Sequence, residues 1–64
     1  MNIILGSDLV EWLFENVDGF VNRDDARRCA SVMLNAGAIT NIAHKSKFSE
    51  QSYYVFGEIY SPGR

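Results

Sequence analysis

The sequence predicts a small α+β domain in which a short strand and two helices precede a β-hairpin. Two stretches carry apolar residues at helical spacing, residues 9–17 and 26–34, and two later stretches, around 38–43 and 52–56, are β-prone. Size narrows the class further. A chain of 64 residues forms one domain and buries only about 60% of the surface its unfolded form exposes, so each large apolar residue counts. An apolar content of 47% suffices for a core, and with 22% charged residues the chain is globular rather than disordered.

Residues 2–5 are an apolar, β-prone run that Gly6 stops, which reads as a short strand. Helix follows over about residues 7–17, with Ser7 or Asp8 as its N-cap; with Asp8 as cap, Glu11 completes a capping-box pattern. At about 100° per residue, Leu9, Val10, Leu13, Phe14 and Val17 share one broad arc. Asp8, Glu11, Glu15 and Asp18 gather opposite them, and Trp12 stands at the border. One helix therefore pairs a core-facing side with an acidic stripe beside a Trp. Such a stripe reads either as a solvated face, or as a docking edge built of Asp8, Glu11, Trp12 and Glu15.

Asp18-Gly19 turns the chain, and Phe20 and Val21 are expected to plug the core. Asn22 then caps a second helix whose first turn holds Asp24 and Asp25, with Asp24 and Arg28 at pairing distance four residues apart. Ala26, Cys29, Ala30, Met33 and Leu34 form its apolar face, and Gly37 is placed to end it. Residues 38–43 and 52–56 read as strands joined by a long polar tip containing His44, Lys45 and Lys47 beside Phe48. Residues 61–64 read as a turn leading out of the domain. The order strand, helix, helix, strand, strand is that of a winged-helix-like module without its first helix, the hairpin being the wing.

Function classes can be pruned on composition. A net charge of −2 argues against a dedicated nucleic-acid binder, although Arg23, Arg27, Arg28 and the wing lysines keep a winged-helix nucleic-acid-binding module as the alternative. One Cys and one His with no paired spacing make neither a disulfide nor a structural zinc site, so no metal or cofactor is expected. The lone Cys29 fits a reducing, cytoplasmic setting. The run at residues 2–5 is too short for a signal peptide or a membrane span. Enzymatic chemistry lacks its parts: no phosphate-binding glycine loop occurs, and the His and the Cys lie in separate elements. The tip His44, Lys45 and Lys47 is a candidate for contact with anionic phospholipid head groups, where each basic residue contributes about 1 kcal/mol.

Gly6-Ser7-Asp8-Leu9-Val10-Glu11-Trp12-Leu13, Ala26-Arg27-Arg28, Ala36-Gly37 and the run from Lys47 through Phe48-Ser49-Glu50-Gln51-Ser52-Tyr53-Tyr54-Val55-Phe56 to Gly57 together closely resemble a DEP domain. The likeness is nearest to the Dishevelled branch of that family and extends over residues 2–59. It implies a winged-helix DEP fold over residues 1–60, with 61–64 as a tail. It also implies a non-enzymatic signalling adaptor that recruits its scaffold from the cytoplasm to the plasma membrane. Recruitment in that branch runs through the intracellular surface of a Frizzled-type receptor and acidic phospholipids, in Wnt and planar-polarity signalling. The acid pair that falls on Asp8 and Glu11 is tied there to protein interaction. Two departures stand out: a helix and a lysine-bearing finger loop that precede the first strand in the family are missing here, and Asn41 and Ile42 replace basic or His positions. The resemblance thus implies an N-terminally truncated domain with apolar surface uncovered on its two helices, and a homodimer formed by exchange as a way to cover it.

Overall fold

A computed structural model describes residues 2–57; Met1, the end of the expected domain at 58–60 and the tail at 61–64 lie outside the described residues. The elements follow the expected order: β1 (Ile3–Leu5), α1 (Gly6–Asn16), α2 (Arg23–Asn35), β2 (Ile39–Asn41) and β3 (Tyr53–Phe56). The strands make one antiparallel sheet in the order β1-β3-β2, so the aromatic strand is central. Its register aligns Ile4, Tyr54 and Asn41 across the sheet, with Ile39 opposite Phe56. Side chains in register share a face. Here that face packs on the helices, where Leu9, Val10, Leu13, Ala26, Ala30, Ile39 and Tyr54 form the core and Phe20, Cys29, Met33, Leu34 and Phe48 line its rim.

Helix α2 keeps both punctuation marks read from its sequence. The Asn22 side chain accepts a hydrogen bond from the Asp25 N–H at 3.1 Å, and the Asp25 carboxylate accepts one from the Val21 N–H at 3.0 Å. At the other end Gly37 takes φ 83°; its N–H donates to the Leu34 carbonyl and the Ala38 N–H to the Met33 carbonyl. That is the Schellman arrangement, which glycine enters without steric cost. The two alanines on the inner face are fully buried, letting α2 lie close against α1 and the sheet.

Helix α1 begins differently from expectation. Neither Ser7 nor Asp8 is its N-cap; the helix starts at Gly6, Leu5 occupies the cap position, and no side chain caps it. A helix start leaves N–H groups without intrahelical partners. The segment before β3 supplies them: the Gly6 N–H donates to the Ser52 carbonyl at 2.8 Å and the Ser7 N–H to the Glu50 carbonyl at 3.0 Å. Gly6 is buried in that contact, and a Cβ there would press on the Ser49 carbonyl oxygen and lie 2.9 Å from Glu50 Cα. Two further expectations fail. Phe14 and Val17 are partly exposed at the edge of the apolar arc, and Val21 is 86% exposed, so Phe20 alone plugs the connection.

Candidate functional site

Helical spacing sets Asp8, Glu11, Trp12 and Glu15 at i, i+3, i+4 and i+7, which is one stripe of α1. All four are exposed, and the Trp12 side chain stands 53% open although Leu9 and Leu13 on the same helix are buried. Trp12 also forms one wall of a shallow apolar groove of about 310 Å³ with Ile4, Leu9 and Phe56. Phe56, more than half exposed, carries this apolar surface onto the sheet, whereas the equally open Ile3, in register with Val55, lies on the sheet's other face. Large exposed apolar side chains stand on both helices, Trp12 and Phe14 on α1 and Val32 on α2, and continue onto the sheet at Phe56. An aromatic beside three carboxylates can take an apolar group and a cation from the same ligand.

One acid of the stripe is already engaged. Arg23, the first residue of α2, places Nε 3.3 Å from Glu11 Oε1. The same guanidinium meets both oxygens of Glu50, Nη2 at 2.9 Å and Nη1 at 3.1 Å, a bidentate fork. The hydrogen bond to Glu50 holds Arg23 above its ordinary pKa, and reciprocally Arg23 holds the Glu50 carboxyl below the usual range against a smaller opposing effect of desolvation. Glu50 lies in the segment whose backbone caps α1, so one arginine fastens the start of α2 to the outer face of α1 and to the hairpin connection. Sequence periodicity does not reveal this clamp, because Arg23 and Glu50 stand 27 positions apart.

The other arginines are paired as well. Arg27 reaches Asp24 at 2.7 Å, and Arg28 reaches Asp24 and Asp25 at 3.4 Å each. Hydrogen bonding from Arg27 lowers the Asp24 pKa. These pairs draw the arginines Arg23, Arg27 and Arg28 into carboxylate contacts, which weighs against their use as a phosphate-binding row.

The hairpin tip holds the second candidate cluster. His44, Lys45 and Lys47 are all exposed in the connection between β2 and β3, and among the described residues neither lysine is in an ion pair. His44 adopts φ 60°, which turns the chain sharply after Asn41. Phe48 is not the tip's apolar contact: it stacks on Tyr54 with ring centroids 5.1 Å apart and joins the core rim. Ile42, at the start of the same connection, is 43% exposed. Asn41 is fully buried, its Oδ1 accepting from the Ala43 N–H at 2.7 Å, so it adds nothing to the tip's surface.

Catalytic geometry does not assemble around the imidazole and the thiol. The cleft that includes His44 is lined by Asn41, Lys45, Ser46 and the end of α2, whereas Cys29 packs at the core rim. Among the described residues, no three His, Cys, Asp or Glu side chains cluster as metal ligands. No helix among them is long and apolar enough to cross a membrane.

Comparison with known proteins places this geometry in a family. Residues 1–56 match the family model described as the domain found in Dishevelled, Egl-10, and Pleckstrin (DEP). The chain is 52% identical over 58 residues to the segment polarity protein dishevelled homolog DVL-2 of Mus musculus, an alignment covering 91% of the chain and 8% of that protein. It is 50% identical over 58 residues to DVL-2 of Xenopus tropicalis, with the same coverage. To DVL-1 of Mus musculus it is 47% identical over 60 residues, 94% of the chain and 9% of that protein. The chain thus spans less than a tenth of the length of these curated relatives. With two helices on a three-stranded antiparallel sheet and a family match over nearly all its length, the chain belongs to the DEP family of signalling domains and is similar to those of Dishevelled.

Proposed function

We propose that this domain is a non-enzymatic signalling adaptor that recruits a Dishevelled-like scaffold from the cytoplasm to a Frizzled-type receptor at the plasma membrane, in Wnt and planar-polarity signalling. The observation that carries this reading is the half-open Trp12 beside Asp8, Glu11 and Glu15 on a helix whose inner face is buried. A large aromatic kept in water next to carboxylates fits the anchor of a docking surface for a basic, partly apolar segment. His44, Lys45 and Lys47 add an auxiliary contact with anionic phospholipid. Two lysines give weak binding alone, so protein docking supplies the address and lipid the reinforcement.

The test is calorimetric titration of the chain with a peptide from a receptor's intracellular loop. Asp8→Lys with Glu15→Lys abolishes the binding while circular dichroism stays unchanged, because neither residue touches the core. Equal loss of helicity and binding in that variant makes the acids structural and ends the proposal. The apolar groove of Ile4, Leu9, Trp12 and Phe56 supports a homodimer formed by exchange as a second feature of the same reading. Light scattering after size exclusion checks it, and a monomer at the highest soluble concentration refutes the dimer alone.

A further inference from the structure

Five serines and one threonine lie among the described residues, and they differ in exposure. Ser7, Ser31, Ser49, Ser52 and Thr40 are all partly buried. The Ser49 hydroxyl bonds Gln51, and the Thr40 hydroxyl donates to the Gly57 carbonyl at 2.7 Å. Ser46 alone is exposed. It lies outside helix and strand in the tip between β2 and β3, and among the described residues its hydroxyl makes no hydrogen bond. Its two neighbours are Lys45 and Lys47, both exposed, and residues 42–48 include no acid.

We propose that Ser46 is a phosphorylation site, and that its phosphate switches off the tip's affinity for an anionic surface; this rests on the lipid contact proposed above. An accessible hydroxyl on non-helical backbone is what a protein kinase can draw into its cleft, and the flanking lysines select a kinase with an acidic substrate groove. Ser46 Oγ attacks the γ-phosphorus of a nucleoside triphosphate. The Oγ–P bond forms, the bond from that phosphorus to the bridging oxygen breaks, the nucleoside diphosphate leaves, and the hydroxyl proton passes to the kinase's base. The product carries a charge of about −1.5 to −2 between two lysines, which cancels the local positive charge. The nearest acid in sequence, Glu50, is held by Arg23 and does not compete for those lysines.

Chemical ligation of the 64-residue chain gives it with and without phosphate at Ser46. Co-sedimentation with phosphatidylserine-containing vesicles, and with pure phosphatidylcholine vesicles as control, reads the effect. Each basic residue contributes about fivefold to partition, so the phosphorylated chain binds the anionic vesicles about 30-fold more weakly. Lys45→Ala with Lys47→Ala matches that loss, and Ser46→Ala binds as the parent does. If parent and phosphorylated chains bind anionic vesicles equally, the switch is overturned and the lipid contact stands. If the parent shows no preference for anionic vesicles, the lipid contact falls and takes the switch with it. Separately, incubation with magnesium ATP and a Ser/Thr kinase selective for basic substrates places phosphate on Ser46 by mass spectrometry. Phosphate found only on other residues overturns the assignment.

Discussion

Replacing Gly6 by Ala sets two rules of helix stability against each other. Gly6 is the first residue of α1, and the roughly 1 kcal/mol by which helix interiors favour Ala over Gly is the upper limit of what the replacement gains there. Its environment demands the reverse. An added Cβ presses on the Ser49 carbonyl oxygen and lies 2.9 Å from Glu50 Cα, and both are backbone atoms rather than the end of a flexible side chain. The segment at 49–52 must move, and that segment supplies the two carbonyls that receive the Gly6 and Ser7 N–H groups. Losing those bonds costs about 1 kcal/mol each. Overpacking adds about 1–3 kcal/mol of strain. After the propensity gain the net loss is about 2–4 kcal/mol, and in a domain of this size the melting temperature falls by roughly 10 °C or more. Urea unfolding followed by the fluorescence of Trp12, the single tryptophan, measures the difference. A Gly6→Ala variant as stable as the parent, or more so, refutes the proposed capping of α1 by the hairpin connection.

Three other outcomes follow from the same contacts. Asn22→Ala removes the side-chain cap of α2 and lowers stability by about 1 kcal/mol in the same urea assay. Tyr54→Phe deletes the buried hydroxyl that accepts the Ser49 N–H at 2.8 Å and costs about 1–2 kcal/mol, with amide exchange at Ser49 accelerating. Arg23 keeps the Glu50 carboxyl more acidic in the folded than in the unfolded chain, so this pair stabilises the fold above the unfolded Glu pKa, about 4.5. That contribution disappears as pH falls through the lower folded value. Glu50→Gln therefore flattens the acid limb of a stability-against-pH curve, and leaves the slope above pH ~6 as it was.

What could be read from the residues in advance divides along a physical line. Helix α2 was legible from Asn22 to Gly37 because its cap, apolar face and terminating glycine are all local. The existence of α1 and its acid and Trp stripe were legible too, since period 3.6 is a local property. Its beginning was not, because the groups that satisfy its first N–H donors arrive from residues 50 and 52, far along the chain. Tertiary supply of those partners displaced the Ser7 or Asp8 cap. Phe48 illustrates the same limit: beside lysines it looks like a tip residue, yet stacking on Tyr54 pulls it to the core. Val21 shows the opposite error, an apolar residue left in water at a turn. In the candidate site, exposure of Asp8, Glu11 and Glu15 followed from periodicity, whereas the openness of Trp12, set by period at the border of the apolar arc, and the Arg23 bridge from Glu11 to Glu50 needed the fold.

Amide chemical-shift mapping of the isotope-labelled chain, during titration with a basic receptor intracellular-loop peptide, bears most directly on α1 as a docking surface. Saturable shifts at Asp8, Glu11, Trp12 and Glu15, with the Trp12 indole signal moving alongside them, are the expected result. Shifts confined to α2 or the hairpin tip, with the indole signal unmoved, contradict it.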